Sequence, residues 1–77
     1  MDLTILYKYA YWGAIHEIKT LTYLYNTCIE VDDKDAAEEY KIRIEKTKSD
    51  FDTIIYALGL NYDDTYELLN WEIKKGI

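Results

Sequence analysis

Apolar residues recur along this chain in alternating steps of four and three. From Tyr7 the series runs through Tyr11, Ala14, Ile18, Leu21, Tyr25 and Cys28 without a break. That is the spacing of a helix seam, and it predicts a first helix over about residues 3–30, with Asp2 as N-cap. Gly13 interrupts this helix at a cost of about 1 kcal/mol against alanine, and its missing side chain would let another helix approach closely. A second series, Ala37, Tyr40, Ile44, Thr47, Phe51, Ile54 and Leu58, predicts a helix over about 34–58. Asp35 and Glu38 fit a capping-box spacing, with Asp32 and Asp33 as alternative caps. Gly59 then falls where a helix needs a left-handed residue, with Leu60 as its hydrophobic follower. A third row, Tyr62, Tyr66, Leu69 and Ile73, predicts a helix over about 62–75. Asn61 is its N-cap, Asp63 and Asp64 suit the first turn, Lys74 and Lys75 suit the last, and Gly76 ends it.

These elements predict an all-α fold for a single domain spanning 1–77. The first two helices form a long antiparallel hairpin of roughly 40 Å at about 1.5 Å per residue. The short C-terminal helix folds back beside the start of the first helix and the end of the second, completing a three-helix bundle. At 77 residues one core barely offsets chain entropy, so association into a larger helical bundle is expected to add support.

The first helix has a second apolar row. At about 100° per residue, Ile5, Tyr9, Trp12, His16 and Tyr23 fall opposite the seam. A two-layer hairpin leaves that row in water. Aromatic rings with polar handles are favoured at the centres of protein interfaces. The row therefore reads as a contact face for a second copy, giving a homodimer, or for a foreign protein. The alternative is that the third helix covers Ile5, Tyr9 and Trp12. Of the nine tyrosines, six fit inward rows, Tyr9 and Tyr23 lie on this outer face, and Tyr56 lies off the second stripe.

Charge narrows the choice of partner. Fifteen acidic and nine basic side chains give a net charge of −6, which argues against direct binding to nucleic acid through its phosphates. The acids crowd the hairpin tip as Glu30, Asp32, Asp33, Asp35, Glu38 and Glu39. Such a patch can imitate nucleic acid in a basic groove. It also has a plain structural reading, because acids belong at helix N-termini. Asp2, Asp63 and Asp64 complete, with four of the tip acids, a set of seven at helix starts; eight acids then face nine bases elsewhere.

Catalytic patterns are missing. His16 is the lone histidine and Ser49 the lone serine, and no HExxH, glycine-rich phosphate loop or calcium loop occurs. Cys28 lies on the seam, where a buried structural thiol is expected, and a single cysteine fits a reducing compartment. The run into the third helix has a helix-turn-helix outline, but Asp63, Asp64, Glu67 and Glu72 on that helix would repel phosphate. No cofactor or metal is expected, and no enzyme. Thr20 to Ile29, as long as any uncharged stretch in the chain, is too short to span a membrane, and the start Met1-Asp2-Leu3-Thr4-Ile5 lacks the basic region of a signal peptide, so a cytoplasmic protein is expected. The functional expectation is a non-enzymatic binding module that sterically blocks a host protein acting on nucleic acid. Small phage and mobile-element inhibitors, anti-CRISPR proteins among them, share this type. The alternatives are a homo-oligomeric structural or regulatory bundle and a small regulator that sequesters a transcription factor.

Overall fold

The computed structural model describes residues 3–75. It is an all-α three-helix bundle with α1 over Leu3–Glu30, α2 over Lys34–Leu58 and α3 over Tyr62–Lys75. The helix boundaries agree with the sequence periodicity. Asp2 and Gly76, expected to bound the first and last helices, lie outside the described residues.

Each junction is built from local backbone chemistry. At the tip, Asp32 N–H donates to Ile29 O at 3.1 Å and Asp33 N–H to Cys28 O at 2.9 Å. This is the paired pattern of a Schellman C-cap, with Asp32 in the left-handed position at φ 58°. Asp33 then caps α2, its Oδ1 accepting from Ala36 N–H at 3.2 Å. The capping box expected at Asp35 and Glu38 does not form, because the alternative Asp33, two residues earlier, is the cap and Asp35 already sits in the first turn. At the other end Gly59 takes φ 66° and ψ 28°, and Leu60 N–H reaches Ile55 O at 3.1 Å. Asn61 Oδ1 accepts from Asp64 N–H at 2.9 Å, starting α3 as expected.

The core lies at the end of the hairpin where α1 begins and α2 ends, because only there does α3 cover the groove between them. Tyr11, Ala14, Ile15 and Ile18 of α1 meet Phe51 and Ile55 of α2 and Leu69 of α3. Phe51, Ile18, Ile55 and Leu69 are the largest side chains removed from solvent. Ile15, Ile55 and Thr65 stand off the predicted rows yet are buried. A groove between two helices needs a wider apolar face than one seam residue per turn, and α3 supplies the extra wall. Tyr7 and Tyr62, predicted inward, are exposed at 37 % and 52 %, since the core closes one turn inside them. Cys28, Tyr25 and Tyr40 are half-buried, because α3 stops short of the tip.

Polar residues in the interior satisfy themselves locally. Thr47 and Thr65 are buried, and their hydroxyls donate to Arg43 O at 2.9 Å and Asn61 O at 2.6 Å. Gly13 gives no close helix approach: a Cβ there would meet nothing within 4 Å. It lies on the outer side of α1, away from α2 and α3.

A candidate contact face on the outer side of the first helix

Ile5, Tyr9, Trp12 and Tyr23 are exposed at 54 %, 76 %, 56 % and 58 %, and His16 is exposed with them. The path of α3 explains this. Leu69 packs with Ile15 and Ile18, and Glu72 lies 3.7 Å from Lys19. Ile18 is on the seam, and Ile15 and Lys19 lie roughly 90° and 50° around α1 from the centre of the outer row, so α3 passes beside that row and not over it. The expected alternative, in which the third helix shields Ile5, Tyr9 and Trp12, therefore does not hold.

The row is anchored to the core through one ring pair. Trp12 stands edge-on to Tyr11 at 5.2 Å and 70°, and Tyr11 stacks on Phe51 at 5.6 Å. An exposed indole held by a buried neighbour loses little further freedom on binding, which is a property of interface anchors. Burial pushes the Tyr11 hydroxyl above the ordinary tyrosine value. Beside the row, His16 adjoins a shallow cavity of about 300 Å³ that crosses to Leu24, Tyr40 and Arg43. The Arg43 guanidinium lies 5.8 Å from the centre of the Tyr40 ring, so this border is both aromatic and cationic.

The six tip carboxylates of Glu30, Asp32, Asp33, Asp35, Glu38 and Glu39 are all exposed. Asp33 has a structural task as the α2 cap, while Glu38 and Glu39 lie past the first turn. Among the described residues none of the six takes part in a salt bridge, and no group of three metal-binding side chains converges. No described helix is long and apolar enough to cross a membrane.

The periodicity did not single out Trp71. It is 56 % exposed on the outer side of α3, with Lys75 Nζ 5.1 Å from the ring centre. The available signal was its position, off the Tyr62–Tyr66–Leu69–Ile73 row. It borders a cavity of about 510 Å³ with Tyr62, Tyr66 and Lys74.

What these features define is an all-α three-helix bundle with one uncovered aromatic row and an acidic tip. Set against protein families, curated proteins and solved structures, the chain matches none.

Proposed function

We propose that this chain is a non-catalytic binding module whose contact face is the outer side of α1, centred on Tyr9, Trp12 and His16. The observation that carries this reading is the exposure of Trp12 on a helix whose own bundle leaves it uncovered. Half-exposed rings of this size, each offering roughly 150–250 Å² when fully buried, supply the central anchors of a standard interface. The partner is a protein with an apolar groove beside a basic surface. The row would fill the groove, and the tip carboxylates would face the basic surface. A host protein that acts on nucleic acid has such a surface. The chain would block it sterically, as anti-CRISPR and other phage inhibitors do with their targets.

The test is quantitative capture of one identified partner by the full chain and by two variants. Tyr9→Ala with Trp12→Ala should abolish capture while leaving helical content unchanged, with only the small fall in melting temperature expected from losing the Trp12–Tyr11 ring contact. Reversal of Asp32, Asp35, Glu38 and Glu39 to lysine spares the Asp33 cap and should weaken capture in a salt-dependent way. Full capture by the Tyr9/Trp12 variant would remove the contact face. Full capture by the reversed tip would remove the mimicry of nucleic acid.

A further inference from the structure

Aromatic rings run unbroken from the outer side of α1 to α3. Trp12 stands edge-on to Tyr11 at 5.2 Å, and Tyr11 stacks on Phe51 at 5.6 Å. Phe51 meets Tyr66 edge-on at 5.6 Å, and Tyr66 stacks with Tyr62 at 4.8 Å. The file begins on α1, crosses α2 at Phe51 and ends on α3. Its middle is buried, with Phe51 at 0 % and Tyr11 at 9 % exposure, while Trp12 and Tyr62 at its ends are open to solvent. Tyr66 is the ring that α3 sets against Phe51. Its hydroxyl bond to Asp52, the next residue of α2, fixes it there.

α3 is the element able to leave. In the buried core cluster of the described residues only Leu69 comes from α3, and the other six members belong to α1 and α2. Leu21, Ala37 and Thr47 are further buried residues of the hairpin. Beyond Leu69, Thr65 and the half-buried Leu68 and Ile73, α3 is held by the Tyr66 bond and by Glu72 at 3.7 Å from Lys19. A helix of 14 residues is marginal in water by itself. Undocking of α3 is therefore a sub-global step below full unfolding. When α3 leaves, Phe51 loses the ring packed against it. Core rings keep one arrangement only while the space around them is filled. Phe51 then gains room, Tyr11 loses its flat partner, and the Trp12 indole loses its support.

We propose that Tyr66 is a positioning residue for the Trp12 anchor: docking of α3 and fixing of Trp12 are one coupled equilibrium, linked through Phe51 and Tyr11. Such coupling is reciprocal. α3 steadies Trp12, and whatever fixes Trp12 steadies α3. The purpose of the device rests on the contact-face reading, since an anchor already held in place loses less freedom on binding. A partner seated on Trp12 tightens α3, and release of α3 loosens the partner.

The experiment uses the full chain without a partner. Trp71→Phe leaves Trp12 as the single tryptophan, and fluorescence anisotropy decay reads its nanosecond freedom. In that background Tyr66→Ala should raise the fast-decay amplitude at least about twofold, the ratio set by one aromatic pair. Tyr66→Phe keeps the ring against Phe51 and should stay close to the parent. Leu21→Ala, which disturbs the groove beside Tyr40 instead, should leave the amplitude unchanged. In the reciprocal measurement, Trp12→Ala should speed amide hydrogen exchange over residues 65–75 at least about twofold. Trp12 is exposed, so this arm does not depend on a core variant folding. Tyr9→Ala, on the same row but in no ring pair among the described residues, should not speed it. Trp12 freedom unchanged by Tyr66→Ala would overturn the proposal, and so would an equal rise in Tyr66→Phe or Leu21→Ala. Exchange in α3 that ignores Trp12→Ala, or responds as much to Tyr9→Ala, would overturn it as well. Every readout comes from the free chain, so the coupling stands or falls independently of whether the contact face captures a partner.

Discussion

The Tyr66 hydroxyl donates to Asp52 Oδ1 at 2.6 Å, joining α3 to α2 through the half-buried rim of the core. The same ring meets Phe51 edge-on at 5.6 Å and stacks with Tyr62 at 4.8 Å. Tyr66 thus combines a core ring with a polar tether. Tyr66→Phe keeps the ring and removes the donor to a carboxylate, which should cost about 1.5 kcal/mol. Urea denaturation checks this.

The same bond gives the fold an alkaline limit. Burial, and then the hydrogen bond to Asp52, hold the Tyr66 hydroxyl well above its ordinary 10.0. Burial raises Tyr11 as well. In the unfolded chain both ionise near 10.0. Above that pH the unfolded state has released protons that the native state keeps. The stabilisation is therefore complete below the ordinary tyrosine value and declines as pH rises past it. Denaturation midpoints taken in alkaline steps should fall, and Tyr66→Phe should fall less steeply.

Gly13 is a helical glycine with free space around its missing Cβ. Gly13→Ala should stabilise the isolated chain by about 1 kcal/mol. A higher melting temperature is the readout. Because Gly13 lies next to Tyr9 and His16 on the helix surface, the same variant should bind the partner of that face more weakly.

Among the described residues two hold left-handed backbone, and only one of them is glycine. Asp32 at φ 58° carries a side chain that disfavours this conformation, whereas Gly59 at φ 66° does not. Asp32→Gly should therefore gain, and Gly59→Ala should lose, about 1 kcal/mol. The opposite signs, measured by thermal melts side by side, are the check.

Leu69 is the one apolar α3 residue fully removed from solvent, set among Ile15, Ile18, Phe51 and Ile55. Leu69→Ala should cost about 2–5 kcal/mol. Since Leu69 fastens α3 to the hairpin, the loss should appear in Trp71 fluorescence at lower denaturant than in total helicity.

The helices themselves were legible from the order of residues alone. Periodicity, caps and the left-handed Gly59 are local properties, set within one or two turns. That is why α2 begins after Asp33 and ends at Gly59, and why α3 begins after Asn61. Which flank of each helix is buried was not local. Ile15 and Ile55 entered the core, and Tyr7 and Tyr62 left it, because α3 lies to one side of the hairpin and spans half its length. The outer row of Ile5, Tyr9, Trp12, His16 and Tyr23 could be read as a row from its spacing. Its exposure could not, since that depended on the side α3 chose. The ring file from Trp12 to Tyr62 was invisible in the sequence for the same reason: its members lie on three helices and only packing brings them together. The chain's order of residues determined its elements through short-range geometry, and the tertiary packing alone decided which surfaces remain for a partner.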